Sequence, residues 1–385
     1  MIPITIPVLE ESEAQAAAAV VMSGWLSQGV VVAEFEAEFS RIVGAPHACA
    51  VSNCSSALHL ALLTAGIRPG DEVITVSHSF IAAANAVRQC GATPIFVDVD
   101  PAMFNMDTGL IAAAVSPRTR AILCVHQIGM PCDLARIVPI ARKHGLIVIE
   151  DAACAAGSEI EWDGKFQPIG TPHADVACFS FHPRKVITTG EGGMLTTQRA
   201  DWDRNFRMLR QHGMSVGTFE RHRSSSVVFE TYKQAGFNYR MTDIQAAVGL
   251  QQLRRLPELV RRRRTLAKAY GQMLADIPEV TPPVEPIWAR SNWQSYCIRL
   301  PEWADQLGVM QTMLDRGVAT RRGIMCAHLE AAYRDNQVRF PLPHSEAAHQ
   351  HCILLPLFPQ MTDVMQEEVI AALRGALVGQ DRAGH

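Results

Sequence analysis

From about residue 45 to residue 200, short runs of branched apolar residues alternate with stretches whose apolar positions recur every three or four residues. Glu72–Val76, Pro94–Asp98, Ala121–Val125, Leu146–Glu150 and Val176–Phe181 are short and rich in Val, Ile and Leu, as strands buried on both faces are. Ser55–Ala65, Phe80–Gln89 and Asp133–His144 lie between them with helical spacing. This alternation predicts an α/β fold with a mostly parallel sheet covered by helices. Such sheets bind ligands at the carboxyl ends of their strands. After Gly236 the pattern changes: a helical run from Thr242 passes Gln252 into an arginine-rich stretch, and Thr281-Pro282-Pro283 breaks the chain. We place a boundary near residue 255, with a large domain and N-terminal arm over 1–255 and a smaller C-terminal α/β domain over 256–385. In the latter, strands are expected at Ser295–Leu300 and Val318–Arg321.

A chain of 385 residues, 48% of them hydrophobic, can bury two or three cores, which excludes disorder as its main state. The formal charge of −3, with acids and bases interleaved, creates no field that gathers nucleic acid or an anionic membrane, so a small-molecule partner is expected. Arg254, Arg255 and Arg261 to Arg264 are read as a solvated face or part of a dimer surface, since no helix-turn-helix pattern accompanies them. The ten cysteines form no CxxC, which suits free thiols in a reducing cytoplasm, and there is neither a signal-peptide pattern nor a membrane-length apolar run. His344, His349, His351 and Cys352 match no zinc spacing, and no metal is expected.

The chemistry concentrates in Cys178-Phe179-Ser180-Phe181-His182-Pro183-Arg184-Lys185 and the glycine-rich turn Gly190-Glu191-Gly192-Gly193. The turn leads into the strand-like Met194–Thr197 instead of opening a helix, so it is not a dinucleotide loop. Lys185 among apolar neighbours is expected to have a lowered pKa and to act as an amine nucleophile. Upstream, Asp151 ends a buried strand. Pyridoxal phosphate needs a lysine for its Schiff base and a carboxylate that keeps its ring nitrogen protonated; Lys185 and Asp151 provide that pair. Ser52-Asn53-Cys54-Ser55-Ser56 precedes a helix, where free amides and the dipole favour a phosphate. Taken singly, these are also a turn lysine, a helix cap and an N-cap.

Together with Ser23-Gly24-Trp25-Leu26, Val125-His126, Glu150-Asp151-Ala152-Ala153 and Gly236-Phe237-Asn238-Tyr239-Arg240-Met241, this order of motifs resembles the DegT/DnrJ/StrS family of pyridoxal-phosphate sugar aminotransferases, which have the type I aspartate aminotransferase fold. The resemblance implies that Lys185 carries the Schiff base and shuttles a proton, and that Asp151 pairs with the ring nitrogen. It implies that Phe80 stacks on the ring, that Ser55, Ser180 and the amides of Cys54 to Ser56 hold the phosphate, and that Asn238 reaches the phosphate of a neighbouring subunit in a homodimer. Two positions depart from the family. Cys54 and Ser55 stand where glycine and threonine are usual, and Cys154 stands where a glutamine or histidine bonds the ring hydroxyl; a thiol is a weak hydrogen-bond partner. A lysine at position 185 separates the chain from the family's dehydratases, which carry histidine there. The implied reaction loads the cofactor to its pyridoxamine 5'-phosphate form from an amino donor, L-glutamate, and passes the amine to a keto-sugar carried on a nucleotide. A cyclitol or other ketone and a non-catalytic, regulatory member are the alternatives. Trp25, His182, Arg240, Arg321 and Arg322 are candidates to meet the acceptor, and the polar stretch from Ser215 to Tyr232 is a candidate specificity loop.

Overall fold

The computed structural model describes residues 1–217, 221, 224–336 and 338–381. Its strands run, in chain order, β1 (His47–Val51), β2 (Glu72–Val76), β3 (Thr93–Val97), β4 (Thr119–Val125) and β5 (Ile147–Asp151), then a hairpin of β6 (Glu159–Trp162) and β7 (Lys165–Pro168). β8 (Val176–Ser180) and β9 (Gly193–Thr197) follow, and β10 (Ala289–Arg290), β11 (Tyr296–Arg299), β12 (Arg321–Arg322) and β13 (Cys352–Leu355) come later. One sheet has the order β1-β9-β8-β5-β4-β2-β3. All its pairings are parallel except those of β9, which runs against both β1 and β8. The apolar runs fill it: Ile74, Ile122, Leu123, Val148, Ile149 and Cys178 have no exposed surface.

Because β9 reverses between two strands of the common direction, β1 ends at the same sheet edge as β2, β4, β5 and β8. That edge gathers Ser52, the turn leading to Phe80, Asp151 and Ser180. β1 carries no branched side chain in its Ala48-Cys49-Ala50 centre and is made a strand by pairing with β9, with Cys49 opposite Leu195.

The long helix Asp243–Leu274 is opened by Thr242, whose hydroxyl accepts the Gln245 N–H while the Gln245 side chain accepts the Thr242 N–H. This reciprocal cap satisfies two helix-end donors. Leu256, Leu259 and Val260 pack into the cluster built on the seven-stranded sheet. Leu266, Ala267, Tyr270 and Leu274 belong to a second cluster, with Ile298 and Ile353 of the β11-β13-β12 sheet. The change of core thus falls inside one continuous helix, between Val260 and Leu266. The chain start returns to this second cluster, where Ile2 is buried and bridges Val318.

The arginine run is only in part the solvated face expected of it: Arg254 and Arg261 are exposed, but the others are engaged. Arg263 is buried and donates to the carbonyls of Trp293, Gln294 and Leu357. Arg255 pairs with Glu10 and Glu13, and Arg264 reaches the Ser291 carbonyl and Glu159. A guanidinium carries several donors on a long apolar stem, so these side chains tie loop carbonyls and acids to the helix instead of facing water. Among the described residues no helix is long and apolar enough to cross a membrane.

Candidate active site

At the end of β1, Asn53 caps the helix Cys54–Thr64, its side-chain oxygen accepting the Ser56 N–H at 2.8 Å. Ser52 and Ser56 hydroxyls meet at 3.1 Å, and the Ser52 N–H donates to the Tyr239 carbonyl at 2.8 Å. The Ser56 amide expected to hold a phosphate is therefore committed to Asn53. The amides of Cys54 and Ser55, the first of the helix, remain open to a ligand, with the exposed Ser55 hydroxyl beside them. The Cys54 thiol, a side chain added close to this loop, turns away from it and donates to the Cys178 carbonyl at 3.5 Å. Burial, with the Asp151 carboxylate nearby, holds it well above the usual thiol pKa. Gly193 closes the cradle from the β9 side: a Cβ there would come within 2.5 Å of the Asn53 backbone, so only glycine lets β9 lie so close.

Lys185 sits on the turn that leaves β8, its N–H donating to the His182 carbonyl at 2.8 Å. Its Nζ donates to Cys154 Sγ at 3.1 Å. The lowered pKa expected for this lysine is not found. Burial does disfavour the ammonium, but the sulfur of Cys154 and the carboxylate of Asp151 outweigh it and raise the pKa. The neighbours that matter come from the β5 end, 31 and 34 residues upstream, and are not the apolar residues flanking Lys185 in the chain. Asp151 is buried, and its Oδ1 accepts the Ala153 N–H at 3.1 Å. Burial pushes this carboxyl above its ordinary range, against the pull of that bond and of Lys185. Replacing Cys154 with alanine removes the lysine's sulfur partner. Pyridoxal phosphate should then condense with Lys185 at a lower pH, a shift read from the pH dependence of the absorbance change.

Ser180 is buried at the β8 end, with its Oγ accepting the His182 N–H at 3.4 Å. Phe80 is 72% exposed at the β2 edge, an unusual place for a phenyl ring with only structural duties. Phe80→Ala should change folding stability by less than about 0.5 kcal/mol, as exposed substitutions do. It should nonetheless weaken pyridoxal phosphate binding about tenfold, measured by fluorescence titration. Asn238 is exposed, its backbone bridged to Gln211, one residue from the Tyr239 carbonyl that holds Ser52. Arg240 is half-buried and its Nη1 is a buried nitrogen without a partner among the described residues.

The other candidates are dispersed. The Trp25 indole donates to the Gln28 carbonyl, His182 Nδ1 accepts the Arg184 N–H, and Arg322 pairs with Glu330. Residues 218–220 and 222–223 of the expected specificity loop lie outside the described residues. A group of positioning residues has no motif in the sequence. Asn292, fully buried, donates to the carbonyls of Cys154 and Ala156, and Gln294 donates to that of Arg184. Behind Asp151, His126 is buried against Glu150 at 2.9 Å. Its Nδ1 accepts the Cys132 N–H, so Nε2 carries the proton and donates to the carboxylate. The signal that marks Asn292 and Gln294 is a polar Ser291-Asn292-Trp293-Gln294-Ser295 run next to a strand, which by itself reads as loop.

A helix-start anion cradle, a lysine and a buried carboxylate at one sheet edge define a pyridoxal-phosphate-dependent enzyme of fold type I. The pattern of the DegT/DnrJ/EryC1/StrS aminotransferase family matches residues 7–374. The spore coat polysaccharide biosynthesis protein SpsC of Bacillus subtilis (strain 168) is 36% identical over 388 residues, covering 99% of this chain and 98% of SpsC. The aminotransferase TlmJ from Streptoalloteichus hindustanus superposes with a TM-score of 0.90 at 34% identity, covering 98% of this chain and 99% of TlmJ. Helicobacter pylori PseC, an aminotransferase involved in the biosynthesis of pseudoaminic acid, superposes with a TM-score of 0.90 at 25% identity over 98% of this chain and 99% of PseC. The chain belongs to the DegT/DnrJ/EryC1/StrS aminotransferase family and is a pyridoxal-phosphate-dependent aminotransferase; another neighbour in structure is known in PLP-form and PMP-form.

The donor set fits the cofactor. Two open helix-start amides and the orphaned Arg240 nitrogen call for an anion. The buried Asp151 carboxyl, whose ionised form lacks sufficient compensation, calls for a cationic N–H, and Lys185 offers a primary amine beside it.

Proposed function

We propose that the protein transfers an amino group from L-glutamate to a keto-sugar carried on a nucleotide, in a homodimer whose active sites are shared. The observation that carries this reading is the Asp151, Cys154 and Lys185 cluster at the sheet edge that also bears the anion cradle. Bound pyridoxal phosphate supplies an electron sink that stabilises negative charge at the reacting carbon. The protein supplies position and protons. The amides of Cys54 and Ser55, with the hydroxyls of Ser55 and Ser180, hold the phosphate, and the Phe80 face covers the ring. Asp151 keeps the proton on the ring nitrogen, and its burial makes an opposite charge there worth more than it would be in water. Lys185 Nζ takes up and returns the proton at the reacting carbon. Cys154 holds that amine before the cofactor arrives.

Sugar specificity is supported by the names of the relatives: SpsC belongs to spore coat polysaccharide synthesis and PseC to that of pseudoaminic acid. Asn238, exposed at the cradle's edge, is read as the residue lent to the partner's phosphate. Residues 1–255 then hold the cofactor, and 256–385 form a smaller domain against it. The cysteines, all free, suit the reducing cytoplasm.

The test is spectroscopic. The loaded enzyme should absorb as a lysine-bound cofactor, lose that band with L-glutamate, and recover it with nucleotide-linked keto-sugars but not with cyclitol ketones, 2-oxoglutarate recovering it too as the reverse of the glutamate step. Failure of every nucleotide-linked keto-sugar to restore the band would refute the sugar reading. Asn238→Ala should weaken cofactor retention, whereas a monomer with full activity would refute the shared site.

A further inference from the structure

Nine of the ten cysteines are buried; the tenth, Cys154, is only half-buried and stands at the sheet edge that carries the site. Its sulfur touches a nucleophile. Lys185 Nζ lies 3.1 Å from Sγ, and that amine has no other hydrogen-bond partner among the described residues. The backbone under both groups is held by one segment. Asn292, fully buried, donates through Nδ2 to the carbonyls of Cys154 and Ala156, each at 2.8 Å, and its Oδ1 accepts the Gln294 N–H at 2.9 Å. Gln294 Nε2 in turn donates to the carbonyl of Arg184, the residue before Lys185, at 2.8 Å. Ser158 Oγ accepts the Asn292 N–H and donates to the Gly129 carbonyl, which fixes Asn292 from the other side. Thiol and amine are thus kept opposite each other by backbone that is itself held. Cys54, the other cysteine nearby, is buried with its thiol turned to the Cys178 carbonyl. Cysteines that oxidise are partly exposed and stand beside a cation, and their sulfenic acids condense with a neighbouring nitrogen.

We infer that Cys154 and Lys185 together form an oxidative modification site, at which a hydroperoxide joins Sγ to Nζ as a reversible sulfenamide in protein that lacks its cofactor. In the first step the sulfur attacks the O–O bond of hydrogen peroxide, giving the sulfenic acid of Cys154 and one water. In the second the lone pair of Nζ attacks that sulfur and expels hydroxide, which takes the proton of the amine and leaves as a second water. The thiol is oxidised by two electrons, and the peroxide is reduced by two. Two equivalents of a small thiol reverse the link, returning Cys154 and Lys185 and leaving as a disulfide. Bound cofactor occupies the amine and so protects the pair, while the link bars the cofactor from its lysine. The inference takes from the proposed function only that Lys185 carries the cofactor.

The test is mass spectrometry of the full chain after hydrogen peroxide. Apoprotein should lose two hydrogens in mass, and trypsin should yield the peptides of Cys154 and Lys185 joined, with cleavage after Lys185 blocked. Borohydride should no longer fix pyridoxal phosphate to this protein, and dithiothreitol should undo both changes. Protein loaded with the cofactor should link at least about tenfold more slowly, because the amine is then taken. Cys154→Ser should not link, and Lys185→Ala should instead keep an oxygen on Cys154 that dimedone traps. A link from Cys154 to Cys54 would overturn the inference, as would a loss of two hydrogens that persists in Lys185→Ala, since the sulfur would then have met another thiol or a backbone nitrogen. Wild-type Cys154 that only gathers oxygen, or that peroxide leaves untouched, would overturn it equally. If the link formed in a protein whose Lys185 borohydride never fixes to the cofactor, the proposed function would fail and the modification site would stand.

Discussion

Lys185→Ala should leave an enzyme that still binds pyridoxal phosphate but cannot be labelled with it by borohydride, and whose turnover falls at least about 10³-fold. Two losses combine in this. The amine that anchors the cofactor covalently is gone, and so is the group that moves the proton at the reacting carbon, for which a positioned acid–base group alone contributes about 10²- to 10⁴-fold. Added methylamine should restore the lysine-like absorbance without restoring more than a small part of the turnover, because a free amine replaces the bond but not the position. The fold should survive. Lys185 is half-buried and its side chain reaches one sulfur, so the apoprotein should melt within a few degrees of the wild type. A variant still fixed to the cofactor by borohydride would move the Schiff base to another lysine.

Asp151→Asn should separate stability from function in the opposite sense. In the apoprotein the buried carboxyl has a raised pKa, so its ionised form is a burden near neutral pH. Below the ordinary carboxyl pKa of about 3.9 it is protonated in both folded and unfolded chains and costs nothing. Stability is lost as pH rises through the unfolded value to the raised folded one. The asparagine variant, free of that cost, should therefore be more stable than the wild-type apoprotein by about 1 kcal/mol at pH 7 and equal to it near pH 3. Lys185 shifts the other way. Its raised pKa contributes stability below about pH 10.4 that disappears as pH climbs past the folded value, and the variant should keep less of this alkaline margin. With the cofactor the order reverses. Pyridoxal phosphate should raise the melting temperature of the wild type more than that of Asp151→Asn, and turnover should fall by about 10³-fold, since nothing then holds the ring-nitrogen proton. Equal cofactor-dependent gains would mean that Asp151 does not meet the ring.

Some of this site is legible from the chain because its parts are local. Asp151 at the end of β5, Ser180 at the end of β8 and the cap before Cys54 each follow from a strand giving way to a turn, which short apolar runs and small polar residues announce. The errors arose where partners come from far away. Lys185 looked apolar because Val186 and Ile187 follow it, yet its electrostatics are set by Cys154 and Asp151. Arg263 and Arg264 were read into a solvated or dimer face because no acceptor lies near them in sequence, while their acceptors are the carbonyls of residues 291, 293, 294 and 357. Which way the Cys54 side chain turns at its helix start is not written in the segment itself.

What the sequence alone determined is therefore the class of fold and the family to which the motifs belong, and it put forward the lysine, the carboxylate and the cradle proposed for the site. Hydrophobic periodicity and turn chemistry act over a few residues, and a catalytic motif keeps its order whatever surrounds it. The tertiary structure alone decided which groups face one another: the raised Lys185 and Asp151 pKa values, the thiol of Cys54 turned to Cys178, and the change of core within one helix. Coulombic and desolvation energies depend on distance and burial, and both are properties of the folded chain.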